Sequence, residues 1–78
     1  MTEEFKKLFD KGIKETKAKE LAERLGYLEG YYGNLGYDIA DDVKWYFKEI
    51  NNTLGTDEWP ESVKESYTLG YNTGYMES

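Results

Sequence analysis

The sequence predicts an all-α fold, a compact bundle or hairpin of three helices or of four. Apolar residues recur at spacings of three and four over most of the chain, which is the period of an amphipathic helix. Clusters of Gly, Asn and Pro separate these periodic stretches and are typical of turns. The chain has 78 residues, the length of one domain, which we take to span residues 1–78.

The first periodic stretch begins at Thr2, a suitable helix N-cap that is followed by two glutamates. We expect a core helix whose lysines lie near the acidic remainder of the chain, with docking on acidic lipid or nucleic acid as the alternative. Gly12 weakens this helix without ending it, and Thr16 is a candidate cap for a new turn. The apolar residues share one helix face: Phe5, Leu8, Phe9 and Ile13.

A heptad-like seam follows, with apolar positions at alternating spacings of three and four. It could belong to one helix from about 16 to 50, or to two helices separated between residues 33 and 36, and we favour the break. Asp38 is then the expected N-cap of the second helix. A β-hairpin around the same turn is a third interpretation. The seam comprises Ala18, Leu21, Leu25, Leu28, Tyr32, Leu35 and Ile39, and continues through Val43, Tyr46 and Ile50.

The second helix should place Ile39, Val43, Phe47 and Ile50 on its apolar face and end between residues 51 and 55. Pro60 then suits the first turn of a final helix that runs to about Tyr75, because its missing N–H is not needed there. The apolar or small residues of this last helix form a stripe: Trp59, Val63, Ser66, Gly70 and Thr73.

A repeated motif links two of these helices. Leu25-Gly26-Tyr27-x-x-Gly30-Tyr31 returns as Leu69-Gly70-Tyr71-x-x-Gly74-Tyr75. Each glycine inside a helix costs about 1 kcal/mol relative to alanine, so a close approach of another backbone must offset the loss. Gly26, Gly30, Gly70 and Gly74 are therefore predicted to pack two helices of one chain together, or to form a self-association or partner groove flanked by tyrosines.

The charge is divided unevenly along the chain, whose net charge is −6. Residues 1–25 hold seven Lys or Arg and six Asp or Glu, about +1, whereas residues 26–78 hold three Lys and ten Asp or Glu, −7. All eight tyrosines and both tryptophans lie in this acidic part. Such a composition repels nucleic acid and lipid phosphates and attracts basic proteins.

Tyrosines interleaved with carboxylates are the candidate partner-binding residues. The carboxylates could cap helices and form a solvent-exposed face. Alternatively, they could form an array that imitates nucleic-acid phosphates, with tyrosine rings stacking on arginines of a basic partner. A calcium site is a third interpretation, although no EF-hand spacing is present. The candidates are Tyr27, Tyr31, Asp38, Asp41, Asp42, Asp57, Glu58, Glu61, Tyr67, Tyr71 and Tyr75.

The sequence favours a non-enzymatic role. It has no cysteine and no histidine, which excludes disulfides, thiolate metal sites and the commonest general base, and it has no phosphate-binding or nucleophile-elbow motif. We expect no cofactor, no membrane segment and a cytoplasmic location.

The function predicted is that of a small acidic inhibitor that blocks a basic, nucleic-acid-binding partner. In size and charge the chain is similar to small phage-encoded inhibitors such as anti-CRISPR and anti-restriction proteins, which implies the cytoplasm of a phage host. The alternative is a structural or regulatory module that forms a homodimer or larger homo-oligomer through its glycine faces.

Overall fold

The computed structural model describes residues 2–78 and folds them into three α-helices: α1, Glu3–Leu28; α2, Ala40–Leu54; and α3, Glu61–Glu77. A π-helical segment, Glu29–Gly33, continues α1. The described residues contain no strand, so the predicted all-α class is confirmed and the β-hairpin interpretation is wrong. Helices α1 and α3 run parallel, and α2 runs in the opposite direction to connect them.

Helix α1 is a single helix of 26 residues. Thr2 is its N-cap, as predicted, and the Thr2 hydroxyl accepts a hydrogen bond of 3.3 Å from the amide of Phe5. The helix passes through Gly12 without interruption. Thr16 does not cap a new turn, because its hydroxyl donates to the carbonyl oxygen of Gly12 at 2.9 Å, one turn earlier in the same helix.

The predicted break after α1 is present, so the alternative of one helix from 16 to 50 is wrong. The π-helical segment ends at Gly33, and Gly36 has a left-handed φ of +85°, a conformation that glycine adopts without strain. Ile39, and not Asp38, occupies the N-cap position of α2. The Asp38 carboxylate instead accepts a hydrogen bond of 3.2 Å from the amide of Ala40.

The end of α2 agrees with the prediction, whereas the two ends of α3 differ from it by one or two residues. Helix α2 ends at Leu54, and Gly55 follows with a φ of +73°, so the helix stops where the sequence predicted. Pro60 is the N-cap residue of α3 and does not lie in its first turn. Helix α3 continues to Glu77, two residues beyond the predicted end.

The core lies between the second half of α1, α2 and α3. The predicted seam holds as far as Leu28, but Tyr32 and Leu35 are 41% and 48% exposed because the wider turn of the π-helical segment rotates later residues away from the core. On α2, Tyr46 packs against the core, whereas Phe47, which was expected there, lies at its margin. Five apolar side chains are fully buried: Ala18, Ala22, Leu25, Ile50 and Val63.

The first half of α1 extends beyond this core. The described part of the chain measures 50 × 22 × 16 Å, and its radius of gyration is 14.1 Å. A compact domain of this length would have a radius of roughly 11.5 Å, so the molecule is elongated. The expectation that the leading helix packs its apolar face into the core is wrong, since Phe5, Leu8, Phe9 and Ile13 are all exposed.

Candidate protein-interaction surface

The repeated glycines lie where the backbones of α1 and α3 meet. A Cβ atom placed on Gly26 would overlap the carbonyl oxygen of Tyr67 and lie 2.7 Å from the amide nitrogen of Tyr71. A Cβ on Gly74 would lie 2.6 Å from the carbonyl oxygen of Tyr27. Real Cβ atoms essentially never come within 3.0 Å of such atoms, so these positions require glycine. Gly30 and Gly70 are restricted in the same way.

The two copies of the motif face each other in equivalent register. Gly26 approaches the turn between Tyr67 and Tyr71, and Gly70 approaches the equivalent turn of α1. The side chain of Asn34 donates a hydrogen bond of 2.5 Å to the hydroxyl of Ser78, which lies 44 residues further along the chain, the same offset that separates the two motifs. The repeat therefore forms a parallel helix pair related by a local pseudo-two-fold axis, a packing known for small-xxx-small pairs in membranes.

Four tyrosine rings form a continuous row along the π-helical segment and the turn after it. This row, called the tyrosine row, consists of Tyr27, Tyr31, Tyr32 and Tyr37. Successive ring centroids are 5.7, 4.9 and 5.7 Å apart, and the first two rings are stacked with an interplanar angle of 6°. The row becomes more exposed along its length, and Tyr37 at its end is 63% exposed. It offers flat π-faces to a partner.

A second row crosses from α2 to the end of α3. This mixed row consists of Phe47, Trp59, Tyr67, Tyr71 and Tyr75, with successive centroids 5.4, 6.3, 6.4 and 6.4 Å apart. The indole N–H of Trp59 donates to the Asn51 side chain at 2.7 Å, which fixes the ring. Tyr71 and Tyr75 are 41% and 55% exposed, so the outer end of this row is also open to a partner.

Two of the tyrosines bind carboxylates on the opposite helix. The Tyr27 hydroxyl donates to Glu77 at 2.5 Å, and the Tyr67 hydroxyl donates to Glu29. The hydrogen bond to Glu77, together with partial burial and the carboxylate charge, raises the pKa of Tyr27 to about 12. Burial, and then the hydrogen bond to Glu29, raise the pKa of Tyr67. Both phenols therefore stay neutral donors through the physiological range.

The six predicted carboxylates are all exposed, but the structure separates them into two clusters. The first cluster precedes and begins α2, and the second lies between the end of α2 and the first turn of α3. Helix α2 lies between the two clusters, and its 15 residues span roughly 22 Å at 1.5 Å per residue. The first cluster is Asp38, Asp41 and Asp42; the second is Asp57, Glu58 and Glu61.

Each cluster adjoins one aromatic row through the chain itself. Tyr37, the last ring of the tyrosine row, directly precedes Asp38 of the first cluster. Trp59, in the mixed row, directly follows Glu58 of the second cluster. The surface thus presents two separate combinations of carboxylates and aromatic faces, not one continuous array.

An open groove of about 500 Å³ lies beside the tyrosine row. Leu28 and Tyr46 supply apolar surface, and Glu20 and Arg24 supply charge. Such a groove can accept an extended side chain of a partner while the adjacent carboxylates pair with its charged end. Tyr27, Tyr32, Glu23, Gly70 and Thr73 complete the lining.

Some residues of the two rows and their carboxylate partners were not singled out from the sequence as site residues: Glu29, Tyr32, Tyr37, Phe47, Trp59 and Glu77. The Glu29 and Glu77 carboxylates accept hydrogen bonds from tyrosine hydroxyls of the other helix, and only the parallel register brings these groups together. Trp59 had a usable signal, because it sits next to Glu58 in an acidic turn.

Comparison with protein-family models, with curated proteins and with solved structures finds no match for this chain. Within residues 2–78, none of the helices combines the length and the apolar character needed to cross a membrane. The same residues contain no group of three or more acidic, His or Cys side chains that could hold a metal ion.

Proposed function

We propose that this protein is a non-enzymatic inhibitor that binds a basic, nucleic-acid-binding protein and blocks its nucleic-acid site. The observation that carries the proposal is that each acidic cluster adjoins a row of aromatic rings that is partly exposed. Arginine matches this combination, because its guanidinium group pairs with carboxylates and also stacks on aromatic faces. Proteins that bind nucleic acid are rich in such arginines.

The charge distribution supports a protein partner and disfavours nucleic acid itself. Residues 26–78 carry a charge of −7, which repels phosphates and speeds the encounter with a basic surface. Both acidic clusters and both aromatic rows belong to this part of the chain.

The separation of the two clusters also fits the proposal. A distance of roughly 22 Å corresponds to about six base-pair steps of 3.4 Å. A basic surface that normally lies along a duplex could therefore contact both clusters at once. This arrangement imitates two phosphate patches at a distance rather than a continuous phosphate backbone.

The alternative function, homo-oligomerisation through the glycine faces, has no comparable support. The backbone of the neighbouring helix in the same chain occupies the space beside Gly26, Gly30, Gly70 and Gly74. Self-association through them would require α3 to leave α1, which would open the core around Leu25 and Val63.

Defined peptides test the chemistry of recognition without knowledge of the partner. We expect an arginine-rich peptide to bind roughly 10-fold more tightly than a lysine peptide of equal length and charge, because only guanidinium stacks well on the rows. Replacing both Tyr71 and Tyr75 by Leu should reduce this preference, and replacing Tyr32 and Tyr37 as well should remove most of it. Equal affinity for the two peptides, measured by isothermal titration calorimetry, would contradict arginine recognition.

Charge reversal tests the role of the clusters on a partner captured from cell lysate and identified by mass spectrometry. We expect Asp41→Lys with Asp42→Lys, or Asp57→Lys with Glu58→Lys, to slow association strongly in surface plasmon resonance and to restore nucleic-acid binding by the partner. The matched control is Glu3→Lys with Glu4→Lys, which changes the net charge equally at two exposed positions outside both clusters and both rows. If all three variants behave alike, the clusters have no specific role.

A further inference from the structure

Trp45 is a large exposed aromatic residue on α2 that belongs to neither aromatic row. Its side chain is 53% exposed. At about 100° per residue, it lies roughly 130° around the helix from the core-packing face of Val43, Tyr46 and Ile50. Tryptophan is highly buried on average, and it is enriched where proteins bind other proteins. The outward position of Trp45 therefore calls for a reason other than the packing of this chain.

The indole of Trp45 is more open than that of Trp59. Trp59 is half-buried and packs against both Phe47 and Tyr67. Trp45 contacts Tyr46 in an edge-to-face arrangement, with ring centroids 5.0 Å apart and an interplanar angle of 88°. A contact of this kind covers at most one face of the indole, so the other face stays available to a partner.

Carboxylates surround Trp45 on the surface of α2. Side chains three and four positions away lie beside it on the helix. Those positions hold three carboxylates and one lysine: Asp41, Asp42, Lys48 and Glu49. The local charge stays negative even with Lys44, which lies about 100° around the helix from Trp45. Because the face of an aromatic ring also attracts positive charge, these groups together favour a cation on the indole.

We propose that Trp45 anchors an arginine of the partner, with the guanidinium group flat on the indole and paired at its edge with the neighbouring carboxylates. The proposal rests on the proposed function, because it takes the partner to be the same basic protein, and it adds the side chain that holds this partner. Arginine fits better than lysine, since a planar and weakly hydrated guanidinium group stacks on an indole and still donates hydrogen bonds in its own plane.

The position of Trp45 connects features that are otherwise separate. Asp41 and Asp42 of the first acidic cluster lie one turn before it. Tyr46, which contacts its ring, also lines the groove beside the tyrosine row together with Tyr32. An arginine on Trp45 therefore lies next to both the first cluster and the groove. Residues that dominate binding commonly lie at such central positions of an interface.

Other occupants of this face fit its charge less well. Exposed indoles also occur at membrane surfaces, but the three carboxylates would repel anionic headgroups. A second copy of the chain has the same net charge of −6, and its residues 26–78 carry −7, so repulsion opposes its approach. A basic protein surface is the occupant that complements the charge.

Substitutions at Trp45 test the anchor with an arginine-rich peptide as the probe. We expect Trp45→Leu to weaken binding about two- to five-fold, and Trp45→Phe to weaken it less, because a phenyl ring attracts cations less strongly than an indole. The matched control is Phe9→Leu, which removes a ring that is 58% exposed on the first half of α1 and should leave the affinity unchanged. Isothermal titration calorimetry measures the affinities, and circular dichroism checks that each variant stays helical. An unchanged affinity in Trp45→Leu, or an equal loss in Phe9→Leu, would overturn the proposal.

A double-mutant cycle tests whether one arginine contacts the ring and the carboxylates together. Asp41→Asn with Glu49→Gln should weaken peptide binding. The loss should be smaller in the Trp45→Leu background, because the guanidinium group is then no longer held beside these groups. Additive effects would show that the indole and the carboxylates bind different side chains, and would contradict the proposed geometry.

Fluorine NMR reports which tryptophan the peptide reaches. The chain has two tryptophans, so incorporation of 5-fluorotryptophan gives two resonances, and the spectrum of Trp45→Phe assigns them. The Trp45 resonance should shift on addition of the arginine-rich peptide and should shift less with a lysine peptide of equal length and charge. A Trp45 resonance that stays fixed when the protein is saturated with the arginine-rich peptide would refute the anchor.

The same experiments separate a failure of the anchor from a failure of the proposed function. If the charge-reversal variants of the two clusters weaken binding but Trp45→Leu does not, the anchor alone is wrong. If the arginine and lysine peptides bind equally, arginine recognition itself is wrong. Binding to phosphatidylserine vesicles that is lost in Trp45→Leu would assign the ring to lipid, and self-association that is lost in this variant would assign it to a second copy.

Discussion

Tyr27 and Tyr67 each tie one helix of the parallel pair to the other through a phenol that donates to a carboxylate. Neither carboxylate is a neighbour in sequence: Glu77 lies 50 residues from Tyr27, and Glu29 lies 38 residues from Tyr67. A phenol held by a carboxylate loses its proton less readily, because the phenolate would lose the hydrogen bond and face a like charge. The raised pKa of these two phenols therefore reports whether the two hydrogen bonds between the helices have formed.

We expect Tyr27 and Tyr67 to ionise at a higher pH than an unperturbed phenol in an absorbance titration near 295 nm. The pKa of Tyr27 is raised to about 12 in the fold, against 10.0 for an unperturbed phenol. The unfolded chain therefore releases this proton first, so the stabilising contribution is complete below pH 10 and is lost as the pH rises towards 12. Tyr67 should contribute in the same direction.

Glu77→Gln should lower the pKa of Tyr27 and leave that of Tyr67 raised. Glu29→Gln should do the reverse, so each variant is the control for the other. If neither substitution changes the titration, the two hydrogen bonds do not form in solution.

At the scale of helices, α1 and α3 can pack closely in parallel because the four repeated glycines at their interface carry no side chain. The backbones meet in the same way at each glycine, so the interface repeats along the pair. Helix α2 supplies the return path that a parallel pair of consecutive helices needs, and its length matches the overlap of the pair. The tyrosines that flank the glycines remain at the edges, where they stack along each helix.

Gly26→Ala should lower the free energy of unfolding by about 3 kcal/mol, because the new methyl group overlaps backbone that cannot move without parting the helices. Gly12→Ala is the matched control in the same helix. It meets open space and should raise the stability by up to about 1 kcal/mol. Urea denaturation followed by circular dichroism at a few micromolar measures both, and equal effects would contradict the close packing of α1 on α3.

At the scale of the whole molecule, the fold divides into a packed body and a projecting helix. The body contains the five buried apolar side chains, both aromatic rows and both acidic clusters. The projecting half of α1 contributes an exposed apolar face, formed by Phe5, Leu8, Phe9 and Ile13, and four of the nine lysines. The proposed partner-binding surface therefore belongs entirely to the body.

Amide hydrogen exchange should separate these two parts. At a few micromolar, amides of residues 6–14 should exchange many-fold faster than those of residues 18–26, because every residue from 6 to 14 is exposed whereas Ala18, Ala22 and Leu25 are buried, and poorly packed helical segments are marginal in water. Mass spectrometry of peptic fragments measures the contrast. Equal protection along the whole of α1 in the monomer would show that the first half is stabilised by a contact absent from this fold.

Much of the secondary structure could be predicted from the sequence because its signals are local. Thr2 as a cap, the break between residues 33 and 36, and the end of α2 before Gly55 each depend on a few adjacent residues. The errors at Asp38 and Pro60 are shifts of a single position, since neighbouring residues can exchange capping roles. The predicted seam fails beyond Leu28 because the π-helical turn changes the direction in which later side chains point. Apolar spacing alone does not reveal such a turn.

The sequence by itself determined the helical class, the uneven charge and the need for a close backbone approach at the repeated glycines. Only the tertiary structure decided that the two motifs meet within one chain, in parallel and in equivalent register, because that choice depends on contacts 44 residues apart. It also separated the carboxylates into two clusters and left the apolar face of Phe5, Leu8, Phe9 and Ile13 exposed. Helical periodicity specifies which residues share a face, whereas the direction of that face is set by where the other helices pack.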